Sequence, residues 1–361
     1  AMSTRQLSLA IVGGIVLALV IAYNTWTSRR NTPRQPELEV NDTELMSIRP
    51  ELDRQEPGFD APLEGAGGDT RPDVVLADPA FPVPQPEKRP GMDPLIDVIA
   101  PIALEGLASG DAALAAMPAT RRVGSKPFAI EGLNETTQHW ETPLPGQRYT
   151  QFQAGVQLAN RTGALNDIEY SEFVVKAQAF ADAVGGTPEF PEMREEVARG
   201  RELDQFASDH DAQLSFTLRA VNAAWSPGYV QQHAARLGFV PGAIPGRMVL
   251  PAASSGLPPV LGLAFDTQAA LADDPDQSAI REVSLSLDVP LVHRSERPFA
   301  RLRESADALA QAMDGVVTDD NGRVLQPEPM DGIGADLEKL YDTLDSRELS
   351  AGSALARRLF S

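Results

Sequence analysis

From Asp93 onward the chain alternates between a two-residue and a three-to-four-residue apolar rhythm. In "DPLIDVIAPIALE", Ile96, Val98, Ala100, Ile102 and Leu104 form the cleaner apolar face, which predicts a strand with one buried side. "SGDAALAAMPA" follows as a helix capped by Ser109 or Asp111, whose side-chain oxygens can accept from free N–H groups at its start. "SKPFAIEGLN" and "RYTQFQAGVQLAN" read as two more strands. "DIEYSEFVVKAQAFADAVGG" places Phe173, Lys176, Ala177, Phe180, Ala181 and Val184 at helical spacing, and Gly185-Gly186 closes it.

A second pass repeats the order. In "AQLSFTLRAVN", Leu214, Phe216, Leu218 and Ala220 point inward, and Ser215, Thr217 and Arg219 outward. "SPGYVQQHAARLGF" is a helix with Ser226 as cap, Pro227 at its first position and Gly238 past its end. "PVLGLAFDTQ" and "REVSLSLDVP" are strands; in the latter Val283, Leu285, Leu287 and Val289 oppose Ser284, Ser286 and Asp288. "FARLRESADALAQAMDG" is a long helix striped by Leu302, Ala306, Leu309 and Met313. "VVTDDNGRVLQP" is a hairpin turning at Asn321-Gly322, and "IGADLEKLYDTLD" is a final helix. Gly186 and Gly315 close equivalent helices. The expected fold is α+β: two tandem α/β modules, each an antiparallel sheet with helices on one face. The outward face of each sheet is then open to a partner peptide.

The N-terminal pattern is different. "LSLAIVGGIVLALVIAYNTW" (7–26) is long and apolar enough for a membrane-spanning helix, with Tyr23 and Trp26 placed for a headgroup region. No small-x-small cleavage site follows, which favours an anchor over a removable leader. Arg5 stands before the span; Arg29, Arg30 and Arg34 follow it, so the positive-inside rule places the large C-terminal part in the cytoplasm and the short N-terminus outside. Residues 27–90 lack periodicity and carry recurrent prolines among acidic residues. This predicts a disordered linker reaching on the order of 45 Å. The expected domains are the span at 7–26, the linker at 27–90, a first module at 91–210, a second at 211–346 and a tail at 347–361. The tail is a short amphipathic helix or a frayed end.

Composition narrows the function. The net charge of −20 opposes non-specific nucleic-acid binding, which needs a basic surface. Cysteine is absent, so disulfides, cysteine zinc clusters and thiol nucleophiles are excluded. His139, His210, His233 and His293 are scattered, with no metal-ligand spacing; His233 reads as a surface residue of its helix. No P-loop, nucleophile elbow or dinucleotide fingerprint appears. "TDDNG" lacks the glutamate a calcium loop requires and reads as turn chemistry, and Glu195-Glu196 reads as a solvated face. No cofactor, metal or catalytic residue is expected.

Two stretches resemble a known family. "TWTSRR" after the span, and the block "VSLSLDVP … FARLRESADALAQAMDGVVTDDNGRVLQP … LEKLYD", are similar to the ZipA type of bacterial cell-division protein, most specifically over Ala306–Leu325. The resemblance implies an inner-membrane anchor that tethers FtsZ filaments by holding the FtsZ C-terminal tail on the open sheet face. Carried over residue by residue, it implies a groove with Ser215 and Thr217 on the first strand, beside the outward Arg219. Ile244 falls near a groove methionine of the family, Gly262, Ala264 and Asp266 on the third strand, and Ser284 and Ser286 on the next. Two departures stand out. Asp266 and Ser286 replace large apolar side chains, which implies weaker binding of an apolar peptide helix. The family has one such domain, so the upstream copy is additional.

The leading expectation is therefore a membrane-tethered, non-enzymatic division adaptor with two partners: the FtsZ tail and, through its N-terminal helix, the lipid bilayer. One alternative is a structural scaffold whose modules bind each other, by self-association, or another division protein. The other is an envelope-facing enzyme or its regulator, which the charge bias and the residue inventory both oppose.

Overall fold

The computed structural model describes residues 33–36 and 91–361. The expected span at 7–26 and most of the linker lie outside the described residues. Among the described residues no helix is long and apolar enough to cross a membrane.

The first sheet grows from strand alternation. β1 (Asp97–Ser109) buries Val98, Ala100 and Ile102 while Pro101 and Ala103 face outward. Its start differs from expectation: Asp93 to Ile96 form a turn, closed by Ile96 and Asp97 N–H bonds to the Asp93 carbonyl. Then come α1 (Gly110–Ala116), capped by Ser109, and β2 (Arg122–Val123). β3 (Lys126–Asn134), β4 (Trp140–Glu141), β5 (Arg148–Gln157) and the small hairpin β6 (Ala159–Asn160)–β7 (Gly163–Ala164) follow. α2 (Asp167–Val184) lays Phe173 and Phe180 on the sheet, where their rings meet Phe128 at 6.0 Å and Phe152 at 5.2 Å. β8 (Gly186–Pro188) and α3 (Met193–His210) complete the module.

The second module contains β9 (Gln213–Ala220), α4 (Pro227–Arg236), β10 (Val240–Pro241), β11 (Arg247–Leu250) and β12 (Leu261–Ala264). It continues with α5 (Thr267–Leu271), β13 (Glu282–Asp288), α6 (Pro298–Met313), β14 (Gly315–Thr318) and α7 (Pro327–Ser346). α8 (Ala354–Leu359) ends the chain.

The two sheets have the same plan. The first is ordered β2-β3-β5-β1-β8 and the second β11-β12-β13-β9-β14, with β10 added at the outer edge; all these pairings are antiparallel. α1 and α4, α2 and α6, and α3 and α7 occupy the same places in the order. Even the helix stops correspond. Gly185 ends α2 in the left-handed region at φ 71° and Gly186 opens β8; Asp314 ends α6 at φ 56° and Gly315 opens β14. Gly185 adopts this backbone freely, and aspartate is among the few other residues that tolerate it.

Several expectations are corrected. α3 is a long helix over a stretch for which no element was expected. Its inner side carries Val197, Gly200 and Ala207, with Met193, Leu203 and Phe206 partly buried beside them, at helical spacing among many charged residues. β10 and β11 lie in the Gly- and Pro-rich "GFVPGAIPGRMVLP", and α7 begins earlier than its apolar pattern implies. The hairpin after β14 returns as a single bridge between Thr318 and Val324. His233 is buried rather than exposed, its ring 4.4 Å from that of Tyr229. The tail is an ordered helix with Leu359 and Phe360 buried, sharing one apolar cluster with Ile96, Ala159 and the core of the second module. Within the expected linker, Pro33–Pro36 lie against the second module, Arg34 bridging to Trp225.

Candidate peptide-binding face

Strand register decides which side chains share the open face of the second sheet. Gly262 pairs with Ser286, and Ser286 with Ser215; Ala264 pairs with Ser284, and Ser284 with Thr217. Directly opposed residues lie on the same side of a sheet, so these six form two adjacent rows across three strands. The opposite side is the core, where Leu218, Val283, Leu285, Leu287, Leu261 and Leu263 are buried. Arg219 lies one row further, opposite Glu282 and Val316, and its Nη2 pairs with Glu282 Oε1 at 2.7 Å across an exposed part of the face.

The rows continue outward. Val249 opposes Gly262 and is itself opposed by Val240; Arg247 opposes Ala264. The face is thus graded: an apolar shelf at Val240 and Val249, a low centre at Gly262 and Ala264, and hydroxyls at Ser215, Thr217, Ser284 and Ser286. A Cβ on Gly262 would stand 2.8 Å from Ser286 Oγ, so glycine leaves the room that side chain uses. The Ser215 and Ser284 hydroxyls bond each other at 3.1 Å.

Two sequence candidates fall elsewhere. β12 stops at Ala264, and Asp266 is the N-cap of α5, its carboxylate accepting from Gln268 N–H at 2.9 Å. Ile244 is in the β10–β11 loop, about half exposed and off the sheet, its carbonyl accepting from the Arg247 N–H. Val240 and Val249 were missed because prolines and glycines interrupt the alternation that would mark their strands. Among the described residues no group of three His, Asp or Glu is placed to hold a metal ion.

Residues 271–335 match the family model described as "ZipA, C-terminal FtsZ-binding domain". The second module is of the ZipA type. The match runs from the end of α5 through β13, α6 and β14 into α7, so it includes Ser284 and Ser286. The remaining face residues of this ZipA-type module lie outside the matched segment and join it by strand pairing alone. No curated protein matches the chain.

The first module buttresses one end of this face. Arg161, in the β6–β7 turn, donates to both carboxylate oxygens of Asp288 at the end of β13, at 2.8 and 2.6 Å, and to Asp211 at 3.0 and 2.7 Å. Hydrogen bonds to Asp288 and then Asp211 raise the Arg161 pKa, so it is a permanent cation here. At the same junction Arg358 Nη2 meets Asp97 Oδ1 at 2.6 Å, and the Gln157 amide donates to the Arg358 carbonyl. Burial pushes the Asp97 carboxyl up, and the Arg358 hydrogen bond and charge partly offset this.

Proposed function

We propose that this chain is a non-enzymatic adaptor of bacterial cell division, anchored in the inner membrane by the helix at 7–26, with both modules in the cytoplasm. The C-terminal tail of FtsZ lies on the open face of the second sheet. The observation that carries this reading is that the ZipA-type match supplies β13, a central strand of that face. Apolar side chains of the peptide rest on Val240 and Val249. Its backbone crosses the low centre at Gly262 and Ala264, and its polar groups meet the serine and threonine hydroxyls. The fewer apolar contacts on the hydroxyl half make the hold modest, since each square ångström of apolar area contributes about 25 cal/mol.

Calorimetry of the full chain in lipid nanodiscs with an FtsZ tail peptide tests this. Micromolar binding that Ala264→Arg abolishes without unfolding supports the adaptor. No binding by the folded chain would move the scaffold reading to first place. A C-terminal topology reporter checks the orientation independently.

A further inference from the structure

Among the described residues, Pro33–Pro36 contact segments far along the chain. The Arg34 N–H donates to the Ala224 carbonyl at 2.7 Å, and its own carbonyl accepts from Ser226 N–H at 3.0 Å, so the segment lies beside Trp225 like a short parallel strand. The Arg34 guanidinium reaches Asp314 Oδ2 at 3.1 Å, and the Met313 carbonyl and Tyr229 hydroxyl at 3.5 Å. Gln35 donates its side-chain amide to the Asp276 carbonyl. Pro33 is buried, and Pro36 lies against Gly228, where an added Cβ would stand 3.0 Å from its Cγ.

The receptor is a built notch between the start of α4 and the end of α6. Trp225, fully buried, donates its indole N–H to the Met313 carbonyl at 2.8 Å, and Ser226 caps α4. Asp314 turns its carboxylate outward from a left-handed helix stop. None of these residues belongs to the sheet face.

We propose that this notch is a second binding site of the C-terminal module, for an extended arginine-bearing segment flanked by prolines, and that its occupant is the chain's own Pro33–Pro36, acting as an intramolecular latch. Two backbone hydrogen bonds fix the segment's direction, Asp314 selects the arginine, and Gly228 and Trp225 accommodate the prolines. One consequence rests on the proposed membrane helix, whereas the latch does not. Only residues 27–32 separate the latch from the end of that helix, about 20 Å when fully extended. A closed latch holds the second module beside the bilayer, and its release lets the module move away.

The chain has no cysteine, so a designed pair reports cleanly. Gln35→Cys with Asp276→Cys in the full chain, treated with a short bismaleimide in detergent, should give a rapid cross-link at monomer mass. Asp314→Arg should slow it about tenfold, leaving the lower local concentration that covalent connection alone supplies. Adding Arg34→Asp should restore the rate, which a merely misfolded variant would not do. Equal rates with and without Asp314→Arg, or cross-links only between copies, overturn the latch. The readout involves neither FtsZ nor membrane orientation, so failure of the latch is distinct from failure of the adaptor reading.

Discussion

Arg161 grips Asp288 through two parallel hydrogen bonds, and Asp288 ends the strand that carries Ser284 and Ser286. A turn of the first module therefore pins β13, a strand of the open face, in the second. The groups are about a quarter to a third exposed, so solvent screening reduces the gain. Arg161→Ala should cost about 1–2 kcal/mol and lower Tm by roughly 2–4 °C per kcal/mol. Calorimetry gives the magnitude. Hydrogen exchange should show faster opening at the end of β13, and an unchanged exchange pattern would contradict the buttress.

Glu169 has several tasks in the first module. One oxygen accepts from the Ser125 N–H and hydroxyl at 3.0 and 2.9 Å, and the other closes the capping box with Asn166. Its carboxylate also stands 3.7 Å from the buried Lys126 ammonium. Glu169→Ala should cost about 3–5 kcal/mol in urea titration, since it strands a buried cation. Combining Glu169→Gln with Lys126→Met should recover most of that loss, because the charge is removed together with its partner.

The Asp97–Arg358 contact predicts a pH signature. Net burial raises the Asp97 pKa, so its contribution to stability is fully present below the ordinary value of 3.8 and is lost as pH rises through the folded value. Arg358→Ala removes the cation that partly offsets this loss. The Tm difference between wild type and Arg358→Ala should therefore be small near pH 3 and largest at pH 7–8. A difference independent of pH would show that Arg358 acts only through packing.

Gly186 and Gly315 occupy the same place in the two copies but have different neighbours. A Cβ at Gly186 would come within 2.6 Å of Ile102 Cγ2, in the core; at Gly315 the nearest atoms are at 3.2 Å. Gly186→Ala should destabilise by about 1–3 kcal/mol through overpacking, and Gly315→Ala by clearly less. Denaturant midpoints of the two variants decide the order.

Asp266 and Ala264 are two residues apart in sequence but do different jobs. Asp266→Ala removes a helix cap and should cost about 1 kcal/mol locally while leaving FtsZ-tail affinity within about twofold. Ala264→Arg fills the centre of the face and should abolish binding. Equal effects on affinity would move the peptide off this face.

Much of the architecture was legible because alternation is a local property. Ser215, Thr217, Ser284 and Ser286 read as outward from their own strands, since each neighbour along the chain points to the opposite side. Gly186 and Gly315 pointed to a repeated helix stop, but the left-handed stops are their neighbours Gly185 and Asp314, and the two glycines open strands. What the sequence could not decide was how segments meet. The alignment of Ser286 with Gly262 and of Ser284 with Ala264 depends on hydrogen-bond register between distant strands. The position of Asp266 depends on where β12 ends and α5 takes its N–H groups. α3 spaces Met193, Val197, Leu203 and Ala207 at helical intervals, but charged residues crowd between them, and the tail's own pattern left a helix and a frayed end equally open until the folded chain supplied the core that Leu359 and Phe360 join. Arg34 was read as a topogenic charge; its attachment to Asp314 and Trp225 exists only because folding brings the end of α6 and the start of α4 together.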